Sequence, residues 1–253
     1  MKIINKNNRI IIKTIPFKTL SSFINDYKKN GNLIQYKNYV DKYESKKIVS
    51  DKYKELVVKT LGVYDDPSHI NFDELPEKYM IKCTGGSGRN IIVKNGCDKE
   101  EIIRKCNKWL KTIYRKNEEP QYNFNYRIII EEFIEDIENE YRLYCFDGIC
   151  KFIDCKNKKP SKNFTYFKPN WEKINIKKIR KGNLFPNPDF LKPEKMDYFV
   201  KIAEELCKYI PFVTFDLFET KGNNFYFSEF TFSPSNGRIK FFPHDIFKEI
   251  WYK

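Results

Sequence analysis

Histidine is almost missing: only His69 and His244 occur in 253 residues. The seven cysteines, Cys83, Cys97, Cys106, Cys145, Cys150, Cys155 and Cys207, form no Cys-x-x-Cys pair and are odd in number. Tetrahedral zinc sites need closely spaced Cys and His, so the sequence argues against a zinc centre. Free thiols in a reducing cytosol are the simpler expectation. Cys145, Cys150 and Cys155 recur at offsets of five in a strand-like stretch, which sends neighbours to opposite faces. No segment approaches the roughly 20 apolar residues that span a bilayer. The opening MKIINKNNRIIIKTIPF breaks every apolar run with polar residues and lacks a small-residue cleavage site. A cytoplasmic protein without a membrane span is therefore expected. No repeat with a period of about 20–50 residues is visible. Neither a Walker A loop nor a Gly-x-Gly-x-x-Gly fingerprint is present.

What the chain does contain is a globular composition, 41% hydrophobic and 17% aromatic. Its length suits one large domain or two modest lobes. The net charge of +13, from 47 basic and 34 acidic residues, suits an anionic partner such as nucleotide, nucleic acid, acidic polymer or membrane surface. A solvated lysine-rich surface would give the same balance.

Up to about residue 75 the pattern is irregular. Residues 9–15 read as a short strand, 19–29 as a short helix, and Ser50–Asp51 as the cap of a helix ending at Gly62. YMIKC then reads as a strand, followed by Thr84-Gly85-Gly86-Ser87-Gly88, the strand Ile91-Ile92-Val93 and a turn at Asn95–Gly96. Asp98 can cap a helix with one buried face, since Ile102, Ile103, Cys106, Trp109, Leu110 and Ile113 repeat at helical spacing. RIIIEEFIE reads as a strand buried on both faces, and EYRLYCFDGICKFIDC as a hairpin turning at Asp147–Gly148. Residues 156–192 are polar and show no period. Pro193 is placed to open an amphipathic helix, and FVTFDLFET and NFYFSEFTF form two strands about a turn at Lys221-Gly222-Asn223. The irregular alternation predicts an α+β arrangement with mixed sheets.

Three groups of residues bear chemistry. Lys82 precedes a glycine loop; glycines let backbone amides approach phosphate oxygens, and the lysine adds a point charge, although an ordinary hairpin turn would also explain the glycines. Asp216 and Glu229 lie in apolar strands, where a carboxylate is costly unless it is paired or binds a metal. Hard oxygen ligands of this kind suit Mg²⁺; the alternative is a half-exposed hairpin with both facing solvent. The strand ending in Glu131-Glu132-Phe133-Ile134 can offer its backbone edge to an adenine, or simply run into an acidic turn.

In this order, the phrases SDKY, LPEKYMIKCTGGSGRNIIVKNG, EEFI, EYRLYCFDGICKFI, PFVTFDLFET and FYFSEFTFSPSNGRIKFFP resemble the ATP-grasp superfamily, and within it the TupA-like (teichuronopeptide-biosynthesis) branch. The resemblance implies an ATP-grasp fold of two α+β lobes with ATP in the cleft between them. It divides the chain into an N-terminal region (1–75), a lid lobe (76–137) and a C-terminal lobe with the metal site (138–253). By the same resemblance Lys52 and Lys82 hold phosphates, and Gly85, Gly86, Ser87 and Gly88 close over them. Glu131, Glu132, Phe133 and Ile134 take the adenine, with Glu138 or Glu140 near the ribose. Asp216 and Glu229 hold one or two magnesium ions. Thr231 stands at the third metal position, where many ATP-grasp enzymes carry Asn. Arg142, Arg238 and Lys240 are implied for the acyl phosphate or substrate carboxylate, and Ser233, Ser235 and Asn236 for the acceptor pocket. The implied activity is ATP-dependent carboxylate–amine ligation through an acyl phosphate, joining an amino acid and a sugar or sugar acid in polysaccharide biosynthesis. A kinase on the same fold would use the same ATP site. A basic nucleic-acid-binding module is the remaining alternative, but no named nucleic-acid motif is present, so no nucleic-acid partner is expected.

Overall fold

A computed structural model describes residues 4–6, 9–11, 19–94, 96–157, 163–180 and 183–243. A short hairpin, β1 (Ile4–Lys6) with β2 (Arg9–Ile11), precedes helix α1 (Leu20–Asn30). Thr19 and Ser22 cap α1 reciprocally, side chain to backbone. Leu20, Phe23, Ile24 and Tyr27 recur at helical spacing and are all buried. The Phe23 ring lies 5.8 Å from Phe146 and 5.3 Å from Phe212, both from the far half of the chain. Accordingly Met1–Asn32 groups with Ile137–Lys253 as one compact unit, and Leu33–Asp136 forms the other. The residues expected as one N-terminal region, 1–75, are thus shared between the two units. Residues 12–15 of the expected first strand, Asn95 of the expected turn, and His244 lie outside the described residues.

The Leu33–Asp136 unit contains α2 (Lys37–Val40), α3 (Lys42–Ser50), β3 (Thr60–Tyr64), β4 (Lys78–Cys83), β5 (Asn90–Lys94), α4 (Lys99–Leu110) and β6 (Ile128–Glu132). Its four-stranded antiparallel sheet runs β3-β6-β4-β5. Tyr79, Ile81, Cys83, Ile128 and Ile130 pack with Ile102 and Cys106 of α4 to form its core. Ile128, Ile129 and Ile130 are fully buried, as expected of a strand covered on both faces. Asp98 caps α4 by accepting from Glu101 N at 2.9 Å. The helix expected to begin at Ser50–Asp51 is absent: α3 ends there, Asp51 is its C-cap, and Thr60–Tyr64 joins the sheet as β3. Val57, Val58, Thr60 and Val63 are β-branched, and pairing with β6 prevails over the helical spacing of this stretch.

The other unit continues with β7 (Ile137–Phe146), β8 (Ile149–Asn157), β9 (Asn163–Phe167), β10 (Lys173–Ile174), β11 (Lys177–Arg180), β12 (Asn183–Leu184), α5 (Met196–Leu206), β13 (Phe212–Thr220), β14 (Phe225–Thr231) and β15 (Lys240–Phe242). A six-stranded sheet runs β10-β9-β8-β7-β13-β14, and a smaller one β12-β11-β15. Asp147 (φ 48) and Gly148 (φ 78) make the turn between β7 and β8. The stretch expected to lack regular structure, 156–192, supplies β9 to β12; Phe164, Thr165, Tyr166 and Phe167 are buried on the sheet among lysines and asparagines that mask them in the sequence. Pro193 does not open α5: its carbonyl accepts from Met196 N at 3.0 Å, and the helix starts three residues later with Lys195 as N-cap.

Candidate active site

Pleat alternation on β4 sends Tyr79, Ile81 and Cys83 into the core, which turns Met80 and Lys82 to the other face. Across the pair with β6, Met80 stands opposite Glu131. Glu131 is 1% exposed, and its Oε2 accepts from Lys82 Nζ at 2.7 Å. Its second oxygen pairs with Lys46 of α3. Burial raises the Glu131 pKa, but Lys82 and Lys46 together outweigh it and hold the carboxyl below its ordinary value. Burial acts on Lys46 the opposite way, lowering it to about 8 against the pull of Glu131. Lys46 escaped sequence reasoning. Its one signal is position, since it shares the buried side of α3 with Ser45 and Val49. Lys52 lies exposed just beyond α3.

The glycine loop joins this lysine pair to β5. Its stem is fixed: Thr84 N donates to the Arg127 carbonyl at 2.9 Å, and Arg127 N returns a bond to Thr84 Oγ1 at 3.0 Å. A Cβ on Gly85 would sit 2.0 Å from the Tyr126 ring. Lys42 Nζ donates to the Gly86 carbonyl at 2.5 Å. The tip, Ser87 and Gly88, is exposed, and around Gly88 there is open space. At the end of β6, Glu132 is exposed with Lys59 Nζ 3.6 Å from its Oε1, and just beyond it Lys94 Nζ stands 5.1 Å over the Phe133 ring; Phe133 and Ile134 are half-buried.

In the other unit, register builds a row of charge across four strands. Asp154 on β8 stands opposite Arg142 on β7, Arg142 opposite Asp216 on β13, and Asp216 opposite Glu229 on β14. Arg142 Nε reaches Asp216 Oδ1 and Oδ2 at 3.0 and 2.8 Å, and its Nη2 also donates to Oδ2. Thr214 Oγ1 donates to Asp216 Oδ1 at 2.8 Å, and Thr231 Oγ1 to Glu229 Oε1 at 3.2 Å. Burial is the main influence on Asp216; with Glu229 beside it, the pKa rises to about 6 despite the Arg142 fork. All four charged residues line one cavity of about 280 Å³. Glu140 lines it too, paired with Lys156.

The order of these parts is matched by one family description, TupA-like ATPgrasp, over residues 23–250. The chain belongs to the TupA-like ATP-grasp family. Its α+β architecture is the ATP-grasp fold. Similar solved structures include ATP-grasp ligase PsnB with a phosphomimetic variant of its minimal precursor, Mg and ADP (13% identity, 85% of this chain and 58% of that one, TM-score 0.46). Others are N5-carboxyaminoimidazole synthetase from Staphylococcus aureus with ADP (12%, 76% and 44%, 0.46) and D-alanine–D-alanine ligase from Bacillus anthracis (20%, 84% and 58%, 0.45). This ATP-grasp chain spans about half the length of those structures. Comparison with curated proteins gave no match. No helix among the described residues is long and apolar enough to cross a membrane.

The remaining residues that the ATP-grasp resemblance singles out are distributed as follows. Glu138 is exposed and lines a second cavity of about 560 Å³, with Asn139, Tyr141 and Glu219. Ser233 is buried, while Ser235 and Asn236 both adopt φ near 54 in the loop after β14. Asn236 pairs with Lys28 of α1, and the next carbonyl, Gly237, accepts from Asn25 Nδ2 at 3.1 Å and from Ser21. Arg238 and Lys240 are exposed and do not line the cavity that holds Arg142. Among the described residues, no cluster of three or more His, Cys, Asp or Glu forms a metal cage. Two adjacent carboxylates with a neighbouring threonine hydroxyl nevertheless fit Mg²⁺, which takes one or two carboxylates and completes its shell with water and phosphate.

Proposed function

We propose that this chain is an ATP-dependent carboxylate–amine ligase that activates a carboxylate as an acyl phosphate and passes the acyl group to an amine. The observation that carries the reading is the cross-strand row in which Arg142 forks onto Asp216 beside Glu229 within one cavity. In this reading Lys82, Lys46 and Lys52 hold ATP phosphates, and Gly85, Gly86, Ser87 and Gly88 cover them with backbone N–H groups. Glu131, Glu132, Phe133 and Ile134 border the adenine, with Glu138 or Glu140 at the ribose. Asp216, Glu229 and Thr231 hold magnesium, which when bound neutralises charge on the phosphoryl group being transferred. Arg142 offers fixed N–H donors to the acyl phosphate, joined by Arg238 and Lys240 at the carboxylate substrate; such preorganised donors are the main source of rate in transfers of this kind. Ser233, Ser235 and Asn236 shape the acceptor side.

The substrates assigned are an amino acid and a sugar or sugar acid, joined in polysaccharide biosynthesis in the cytoplasm. The seven thiols, none in a disulfide, suit that compartment. Calorimetry of ATP with and without Mg²⁺ tests the site, on the wild type, Lys82→Ala and Glu229→Gln. The expected result is Mg²⁺-dependent binding, weakened at least about tenfold by Lys82→Ala through loss of a charged hydrogen bond and made indifferent to Mg²⁺ by Glu229→Gln. A wild type that binds no ATP would sink the reading. A stable phosphorylated product in place of an amide would reassign the enzyme as a kinase.

A further inference from the structure

Three members of the charge row have hydrogen-bond partners, and for the fourth a carboxylate oxygen is left without one. Arg142 donates through Nε and Nη2 to Asp216, and Glu229 accepts from Thr231. Asp154, at the end of the row, is only 5% exposed, and its Oδ1 is buried with no hydrogen-bond partner among the described residues. Leaving a buried acceptor unmet is costly. Cations stand nearby without closing the gap: Lys156 is held by Glu140, and Lys178 Nζ lies 3.9 Å over the Phe164 ring. Burial pushes the Asp154 carboxyl above its ordinary value even against Lys178, Arg142 and Lys156. The unmet oxygen belongs to a side chain that lines the same cavity as Asp216 and Glu229. At about 280 Å³ this cavity lies at the lower edge of ligand pockets, so it suits the reacting ends of substrates and not their whole bodies. The group that completes it must therefore bring its own N–H or O–H donor, and the amine that the ligase reading requires brings an N–H while keeping the lone pair that attacks.

We propose that Asp154 is the anchor for the acceptor nitrogen: its free oxygen accepts an N–H from an incoming primary amine and holds that nitrogen at the opposite end of the row from Glu229. This assignment rests on the ligase reading above. It gives the row a polarity, with the nucleotide's metal at Glu229 and Asp216, the acyl group at Arg142 and the amine at Asp154.

The test compares wild type with Asp154→Asn, Asp154→Glu and Asp154→Ser. ADP release from Mg·ATP is screened with mixtures of carboxylic acids and primary amines, amino acids and amino sugars among them, and Mg·ATP affinity is measured separately by calorimetry. Asp154→Asn removes a buried charge lacking a full partner and keeps the shape, so it is expected to fold; Asp154→Ser serves if it does not. With the active pair, kcat/KM for the amine should fall about 10- to 100-fold in Asp154→Asn, the loss of one charged hydrogen bond. The carboxylate KM and the Mg·ATP affinity should stay within about twofold, and Asp154→Glu should recover part of the loss. An amine kcat/KM unchanged in both Asp154→Asn and Asp154→Ser would overturn the assignment and leave the ligase reading standing. Loss of Mg·ATP binding in a cooperatively folding Asp154→Asn would also overturn it, by placing Asp154 at the nucleotide. A wild type that binds Mg·ATP but releases ADP with no mixture would fail the ligase reading itself, and the amine assignment with it.

Discussion

Glu131 sits between two lysines, and the energetics of that triad are steep. Lys46 is nearly as buried as the carboxylate, while Lys82 keeps partial access to solvent. Removing the carboxylate leaves the buried Lys46 facing Lys82 without compensation, and breaking such a pair from one side costs about 3–5 kcal/mol. Glu131→Gln should therefore lower the stability of the 33–136 unit by about that amount at neutral pH, as read by chemical denaturation. The sign of its pH dependence follows from the direction of the shift. A carboxyl held below its ordinary value contributes fully above about pH 4.5 and loses that contribution as pH falls through its depressed folded value. The gap between wild type and Glu131→Gln should be widest near neutrality and close on acidification below 4.5; a gap independent of pH would mean the carboxylate is not ionised in the native protein. Asp216 and Glu229 stood out in the sequence because a charge inside an apolar strand is conspicuous, and Lys82 because a glycine loop follows it. Lys46 did not, because α3 is rich in lysine and only the fold decides which one is buried. Asp154 was hidden similarly, as one polar residue among several at the end of a hairpin.

The glycine loop shows how an element can be rigid at one end and open at the other. Thr84 and Gly85 are held against Arg127 and Tyr126, while Ser87 and Gly88 face solvent. Gly85→Ala would place a methyl group inside the Tyr126 ring and force either the ring or the stem to move, an overpacking worth about 1–3 kcal/mol. Thermal unfolding of Gly85→Ala should show that loss, and Mg·ATP affinity should fall with it as the loop amides leave their positions. Full retention of both would mean the stem is not the anchor it looks to be. The strands that flank this loop, and the paired strands carrying Asp216 and Glu229, were legible because long apolar runs and glycine-bearing turns mark them. Two elements were not. The stretch 51–62 mixes helical spacing with β-branched residues, and a partner far along the chain, β6, decides between them. Strands β9 to β12 are short and lie among lysines and asparagines; they exist because β8 offers an edge for β9 and β15 an edge for β11.

At the scale of the molecule, the chain folds back on itself so that residues near its start complete a unit built mainly from its second half. Phe23 is fully buried against Phe146 and Phe212. Phe23→Ala should destabilise the unit containing 137–253 by about 3–5 kcal/mol, while the 33–136 unit keeps its own transition. Limited proteolysis with mass spectrometry would distinguish the two, and equal weakening of both units would contradict the division. The helix also ties down the loop after β14, through Asn25, Lys28 and Ser21. Ser21 and the Gly237 carbonyl it binds are separated by 216 positions, so at roughly 5–20 residues per second of synthesis α1 leaves the ribosome roughly 10–40 s before its partner loop exists. Throughout that interval the nascent chain carries Phe23 and Tyr27 uncovered while the residues of the inserted unit are completed behind them, so the first helix is a segment that a chaperone would shield during translation.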